Sequence, residues 1–191
     1  MKKGKKEIIE ILKTTTKKES KFENLVLNLA LQKMNSDKFE FDGKAVYTAD
    51  KSTIVYCIQD EEELRIPQAT KIIGRMAFTQ HQQLKNIVIP EGIEKIEREA
   101  FFDCDQLQSV VFPTSLKGIY GFSFSDCDEL KKVTFKNVPE HLGRRSFSDC
   151  DSLREIHVPA GTADVFRKAF RLTDDPDILV IEDEERKGDG K

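Results

Sequence analysis

The stretch that decides the fold runs from Leu84 to Cys104 and reads Leu-Lys-Asn-Ile-Val-Ile-Pro-Glu-Gly-Ile-Glu-Lys-Ile-Glu-Arg-Glu-Ala-Phe-Phe-Asp-Cys. Its apolar residues return with a period of 23 residues along the chain. Recurrence at many positions of one unit identifies an internal repeat, and a period in this range indicates a solenoid. The recurring positions include Leu84, Leu107, Leu130 and Leu153; Ile87, Val110, Val133 and Ile156; Phe101, Phe124 and Phe147; and Cys104, Cys127 and Cys150.

Each unit begins with a predicted strand and continues with a predicted turn. Residues Leu84–Ile89 alternate apolar and polar side chains, which indicates a short strand, and Pro90 ends it. The remainder is too short for a full helix and ends in Asp-Cys-Asp, which favours turns. One coil cannot bury its own apolar side, whereas stacked coils place like residues over like at about 4.8 Å. We therefore predict an α/β solenoid of about five coils with a parallel sheet.

The repeat unit resembles the BspA-type leucine-rich repeat, and the residues of Leu84–Cys104 carry the likeness. The segment from Asp42 to Tyr56 resembles the hairpin that opens such domains. Residues Val158–Phe166 resemble the unit that closes them with a short helix and a last strand. The resemblance covers residues 39–182, which we assign to a leucine-rich repeat domain with its opening hairpin and C-terminal cap. It implies a repeat solenoid that serves surface adhesion or protein binding.

The two ends of the chain differ from the repeats. Residues 1–38 carry Phe22, Leu25 and Leu29 on one helical stripe, and we predict that they form an N-terminal helical cap over the first coil. The alternative is a helix for oligomerisation or partner docking, since the same stripe fits an apolar groove. At the other end, residues 183–191 are charged and include two glycines, which predicts a disordered tail.

Composition and charge exclude several classes of protein. The 31 basic and 34 acidic residues among 191 leave a net charge of −3, which is not the electrostatic footprint of a duplex nucleic-acid binder. No apolar run approaches the roughly 18 residues of a membrane span.

The basic segment Met1–Lys6 imitates the start of a secretory signal, but Glu7 and Glu10 interrupt the apolar core that such a signal needs. We expect a cytoplasmic or virion-associated protein if this chain is the native full length. If a signal peptide was removed, we expect a cell-surface or secreted one.

The cysteines invite a metal or redox interpretation. Cys104, Cys127 and Cys150 stack in a row, but none is paired as Cys-x-x-Cys, and no histidine lies at ligand spacing. Small buried side chains in tight turns account for them better. Two aspartates flank each of these cysteines, as Asp103 and Asp105 flank Cys104. Their stacked carboxylates could bind a row of calcium ions, although turn formation is the simpler explanation for them. We expect no metal and no cofactor, and ion binding by the Asp-Cys-Asp turns stays open.

The sequence shows no catalytic constellation. His81, His141 and His157 are isolated from one another, and the chain has neither a Gly-x-Ser-x-Gly motif nor a phosphate-binding glycine loop. No nucleophile can be placed beside a base, so we expect no enzyme activity.

The outer face of the predicted sheet is the candidate binding surface. If Ile87 and Ile89 point inward, strand alternation directs Asn86 and Val88 outward, and the period extends both positions into rows. The sheet face is usually the binding surface of a solenoid, and an apolar middle in one row suits a modest protein-binding patch. Valines that serve only as strand formers are the alternative. The candidate partner-binding residues are Arg65, Val88, Val111, Thr134 and His157 in one row and Asn86, Ser109, Lys132 and Glu155 in the other.

The sequence thus predicts a non-catalytic protein–protein interaction module that binds a protein partner through the sheet face of the solenoid. The alternative is a cell-surface adhesin or antigen of the BspA-like type that binds a host or matrix protein. Neither a nucleic acid nor a membrane is expected as the partner, because the chain lacks both a net basic charge and a long apolar run.

Overall fold

The computed structural model describes residues 38–42, 44–58, 60–62, 66–170 and 177–183. The N-terminal helical cap predicted for residues 1–38 lies outside the described residues, apart from Lys38. Arg65 of the candidate surface lies outside the described residues too, as does the predicted tail after Asp183.

The described chain forms twelve strands and one helix, arranged in two sheets. The elements are β1 (Phe39–Phe41), β2 (Ala45–Thr48), β3 (Thr53–Cys57), β4 (Ile72–Ile73), β5 (Asn86–Val88), β6 (Lys95–Ile96), β7 (Ser109–Phe112), β8 (Gly118–Ile119), β9 (Lys132–Phe135), β10 (His141–Leu142), β11 (Glu155–Pro159), α1 (Ala163–Phe170) and β12 (Leu179–Asp183). The first sheet has the order β5-β7-β9-β11-β12, and the second sheet has the order β1-β2-β3-β4-β6-β8-β10. In this part of the chain, no helix is long and apolar enough to cross a membrane.

Every strand of the first sheet runs parallel to its neighbours, and the pairing follows the period of the repeat. Ile87 pairs with Val110, which pairs in turn with Val133. The last strand, β12, pairs with β11 along its whole length and ends at Asp183 opposite Pro159. The prediction of a disordered tail from residue 183 is therefore wrong at its first residue, because backbone pairing with β11 extends the strand to that point.

The second sheet corrects the predicted fold class. Its strands β4, β6, β8 and β10 are two residues long and pair in parallel, so the described repeats form a β-solenoid and not an α/β solenoid. In the described chain, the one helix, α1, follows the last repeat. The repeats form no helix because each turn holds two residues in the left-handed conformation, which an α-helix of L-residues cannot continue. These residues, with φ between 56° and 60°, are Met76, Glu99, Phe122 and Arg145, and then Gln80, Asp103, Asp126 and Asp149.

The predicted opening hairpin is present and begins the second sheet. Strands β2 and β3 are antiparallel, with Ala45 opposite Cys57, and β1 pairs with the outer side of β2. Strand β3 then pairs in parallel with β4, which places Ile54 beside Ile73. Both isoleucines are fully buried, so the hairpin adds its own residue to the apolar ladder of the solenoid.

Stacked apolar side chains fill the space between the two sheets. The rings of Phe78, Phe101 and Phe124 lie nearly parallel, with centroids 4.9 and 4.8 Å apart. This spacing matches the separation of neighbouring strands, as the repeat predicts. At the C-terminal end, α1 inserts Phe166 against Phe135, with ring centroids 4.8 Å apart. The helix therefore covers the core where the repeats end, which confirms the predicted closing unit.

Candidate functional site

The two predicted rows lie on the outer face of the first sheet. Strand pairing places Val88 beside Val111 and Val111 beside Thr134, and it aligns the second row in the same way. The inward residues of these strands are buried, whereas every described candidate is exposed or half-buried. The described members of the rows are Val88, Val111, Thr134 and His157, and Asn86, Ser109, Lys132 and Glu155.

The face continues onto β12, which the sequence prediction did not include. Leu179 lies opposite Glu155 and Ile181 lies opposite His157, so each row gains an apolar member. The repeat period would have placed Ile178 opposite Glu155, so β12 is one position out of step with the repeats. Helix α1 lies between β11 and β12 in the sequence, and β12 does not keep the period. A search for residues 23 positions apart therefore does not detect that the face continues onto β12. Strand alternation within β12 was the signal that could have found it.

Apolar side chains therefore stand at both ends of the face, separated by polar ones. Val88 is 63% exposed and Leu179 is 59% exposed, which are high values for large apolar residues in a folded chain. On the first two strands of the face, the Ser109 hydroxyl donates a hydrogen bond of 2.7 Å to the Asn86 side-chain oxygen. This hydrogen bond between neighbouring coils holds the two polar side chains in place.

His157 is a largely enclosed polar residue of the face. Its Nδ1 lies 2.8 Å from Oδ1 of Asp183, and its Nε2 lies 3.0 Å from Oε2 of Glu155. Only 15% of its side chain is exposed, although strand alternation directs it outward. The hydrogen bond with His157 is the main cause that lowers the pKa of Glu155, and the charge of Lys132 acts in the same direction. The imidazole thus links β11 to β12.

Cys104, Cys127 and Cys150 form a row along the stack of coils. Cys104 and Cys127 are buried, as predicted, and Cys150 at the end of the row is half-buried. Each thiol donates to the carbonyl oxygen of the phenylalanine 26 residues earlier, over 3.1, 3.3 and 3.0 Å. The hydrogen bond with the Cys104 thiol, followed by burial, raises the pKa of Cys127. These contacts favour the neutral thiol, which is a weak nucleophile and a poor metal ligand. The row joins successive coils.

The aspartates of the turns adopt the conformation for which their residue type is suited. Asp103, Asp126 and Asp149 have φ between 56° and 60°, a left-handed region that aspartate tolerates better than most residues. Burial, followed by the charge of Asp103, raises the pKa of Asp105. Within the described ranges, no group of three or more His, Cys, Asp or Glu side chains is placed to hold a metal ion.

The repeats match a known family. The BspA-type leucine-rich repeat region matches residues 51–175 in six copies, which is well over half of the chain. The chain belongs to the BspA-type leucine-rich repeat family. This confirms the predicted resemblance and its repeat period. No curated protein matches the chain significantly.

Solved structures of leucine-rich repeat proteins share the fold of this BspA-type chain. A leucine-rich repeat protein from Eubacterium ventriosum has a TM-score of 0.60 and 21% identity, over 65% of this chain and 34% of that one. The pneumococcal vaccine antigen PcpA has a TM-score of 0.54 and 22% identity, over 78% of this chain and 48% of that one. The chain thus spans less than half the length of either protein, and at these identities the similarity shows the fold alone.

Proposed function

We propose that this chain is a non-catalytic recognition module that binds a protein partner across the outer face of the first sheet. The observation that carries the proposal is the pair of in-register rows with exposed Val88 and Leu179 at their ends. Large apolar side chains left accessible on an ordered surface are typical of protein-binding sites. A parallel sheet in a solenoid also provides a stiff and extended surface of the kind that repeat proteins use for binding.

The arrangement of polar side chains supports the same proposal. Lys132 Nζ lies 3.6 Å from Oε2 of Glu155, and the same carboxylate bonds with His157, so the middle of the face is already ordered before a partner arrives. Ordering side chains in advance reduces the entropy that binding must overcome. Apolar ends and a hydrogen-bonding middle also agree with the mixed composition of ordinary protein interfaces.

Charge substitution on the face tests this proposal. The double variant Val88→Lys and Val111→Lys places two ammonium groups at the apolar end of the face. Because an unpaired charge in an interface is costly, we expect affinity to fall by about ten-fold or more. The partner is first captured with the wild-type chain and identified by mass spectrometry, and the purified pair is then titrated by calorimetry. Since the rows point to solvent, the melting temperature of the variant stays close to that of the wild type.

Val165→Lys is the matched control, because Val165 is an exposed valine that lies on α1 and away from the rows. The control chain is expected to bind as the wild type does. Equal binding by the double variant and the wild type would exclude the sheet face as the docking site. Equal losses in the double variant and the Val165→Lys control would indicate a nonspecific effect of charge.

The adhesin predicted as the alternative would use the same face on a host or matrix protein, and membership of the BspA-type family favours it. The two roles differ in compartment. Protease treatment of intact cells that express the native gene separates them, because a surface protein is cleaved and an internal one is protected. Cleavage on intact cells would replace the cytoplasmic or virion-associated prediction with the surface one.

A further inference from the structure

The turns that follow strands β6, β8 and β10 of the second sheet carry arginine and aromatic side chains that the proposed binding face does not use. The Arg98 guanidinium carbon lies 5.1 Å from the ring centroid of Phe122, and that of Arg145 lies 5.9 Å from the same centroid. The three residues come from three successive coils, so the ring contacts a guanidinium on each neighbouring coil. Stacking on an aromatic ring orients a guanidinium and leaves its edge N–H groups available to a ligand.

A second aromatic pair lies at two of these strands, where Tyr120 follows β8 and His141 belongs to β10. Tyr120 and His141 stack with ring centroids 4.5 Å apart. The Tyr120 ring covers Gly118, where an added Cβ would lie 3.2 Å from the ring edge. We group the side chains of these turns and strand ends under the name arginine–aromatic patch: Arg98, Tyr120, Phe122, His141, Arg144 and Arg145.

Two residues of the patch, Arg144 and Arg145, also line a cavity at the C-terminal end of the repeats. The cavity has a volume of about 380 Å³, and Arg144 and Arg145 line it together with Phe147 and Phe170. Phe147 and Phe170 contact each other edge to face at 5.1 Å, which gives the cavity an apolar wall beside its two cationic groups. A ligand with a carboxylate next to an apolar side chain matches this combination.

The charges of the patch are unevenly neutralised. Glu99 pairs with Arg98 at 2.9 Å and with Arg75 at 3.0 Å, so one carboxylate serves two guanidiniums. Within the part of the chain that the structure describes, no carboxylate forms an ion pair with Arg144 or Arg145, and both residues are exposed. These two adjacent guanidiniums, which have no acidic partner among the described residues, provide a local positive charge on a chain whose net charge is −3.

We propose that the arginine–aromatic patch binds an acidic segment of a protein partner. Its carboxylates bond with the guanidiniums of Arg144 and Arg145, and an apolar side chain of the segment packs against Phe147 and Phe170. Paired N–H groups of arginine match the two oxygens of a carboxylate, which favours this contact over a diffuse attraction. A single-stranded nucleic acid is the less suitable ligand, because three arginines neutralise few phosphates and the rest of the chain is acidic.

Peptide titration tests this proposal. A fluorescein-labelled peptide with the sequence Glu-Asp-Phe-Asp-Glu is titrated with the folded chain at low ionic strength, and its fluorescence anisotropy is followed. The double variant Arg144→Gln and Arg145→Gln is expected to bind about ten-fold more weakly, because two charge-assisted contacts are lost. The variant with lysine at both positions keeps the charge but not the paired N–H geometry, so we expect a loss of about three-fold. Circular dichroism verifies that each variant is folded.

The matched control is Lys85→Gln with Lys131→Gln, which removes the same charge from exposed residues paired with Glu62 and Glu129. It is expected to stay within about two-fold of the wild type, since neither lysine lines the cavity and each already has a carboxylate partner. The proposal is overturned if the arginine variants bind the peptide as the wild type does, if the lysine control loses as much affinity, or if the wild type does not bind the peptide. Tighter binding of an oligothymidylate of equal charge would assign the patch to nucleic acid instead. Because the first sheet carries no part of this patch, failure here leaves the proposed function standing.

Discussion

At the scale of single residues, glycines in this solenoid serve two physically different purposes. A Cβ at Gly143 would lie 2.6 Å from the backbone nitrogen of Gly121 and 2.6 Å from the carbonyl carbon of Tyr120. At Gly161 there is open space, but φ is +73°, which L-residues rarely adopt. Gly143 is therefore required by the close approach of two coils, whereas Gly161 is required by the shape of the turn before α1.

These two purposes predict different costs of substitution. Gly143→Ala should lower the free energy of unfolding by about 2–3 kcal/mol, because two backbones must move apart. Gly161→Ala should lower it by about 1 kcal/mol, the cost of a left-handed alanine. Urea denaturation followed by circular dichroism measures both. A cost at Gly143 no larger than that at Gly161 would mean that the neighbouring coil moves away freely.

At the scale of secondary structure elements, β12 and α1 hold each other at the C-terminal end. The Glu182 carboxylate on β12 accepts a hydrogen bond of 2.8 Å from the backbone N–H of Ala163, the first residue of α1. It therefore acts as a helix cap supplied by a distant element, and a negative charge is favoured at this end of a helix. Backbone N–H groups, first that of Ala163 and then that of Gly161, lower the pKa of Glu182.

The direction of this pKa shift predicts a pH dependence. Because the folded-state pKa of Glu182 lies below its ordinary value of 4.5, the contact stabilises the fold above about pH 4.5 and is lost as the pH falls through the folded-state pKa. Amide hydrogen exchange in the first turn of α1 should be faster in Glu182→Ala than in the wild type at pH 7. After correction for intrinsic exchange rates, the two should converge at a pH where the carboxyl is protonated.

Asp164→Ala is the control for the Glu182 prediction, because Asp164 is a fully exposed carboxylate in the same first turn. Its removal tests the charge near the helix end without the contact from β12. If Asp164→Ala and Glu182→Ala accelerate exchange equally at pH 7, the effect belongs to the helix dipole and not to the cap that β12 supplies.

At the scale of the whole molecule, stability is distributed along the stack of coils. Phe101 has a stacked ring on each side and is fully buried, whereas Phe147 near the end is half-buried and contacts α1 through Phe170. In a solenoid, each coil contributes its own stability together with its interfaces to two neighbours. A residue in the middle of the ladder therefore takes part in two interfaces between repeats, and one at the end takes part in a single interface of this kind.

This difference predicts that the position of a substitution in the stack sets its cost. Phe101→Ala should lower the free energy of unfolding by about 3–5 kcal/mol, because it leaves a cavity between two coils. Phe147→Ala should cost roughly half as much, because part of its ring is already exposed. Urea denaturation monitored by circular dichroism compares the two variants. Equal costs would contradict an additive stack and indicate that the solenoid unfolds as one unit whatever the position.

The constant spacing of the repeat was sufficient to determine the solenoid, the strand register and the sides to which the side chains point. Because a repeat stacks on a copy of itself, each position lies over its equivalent, which places Val88 beside Val111 and buries Phe101 against Phe124. The period also predicted where in the sequence the turns lie. It did not determine their conformation, because hydrogen bonds between coils, such as that from Phe78 N to the Ala100 oxygen, hold the turns in place whatever the local preference of Met76.

Only the tertiary structure decided the features that break the repeat. Strand β12 joins the first sheet one position out of step with the period, and the enclosure of His157 between two carboxylates follows from that pairing. The contact of Arg98 with Phe122 likewise joins residues that are not equivalent in the repeat. A period predicts where equivalent residues lie, but contacts between non-equivalent side chains depend on the distances between coils, and these exist only in the folded chain.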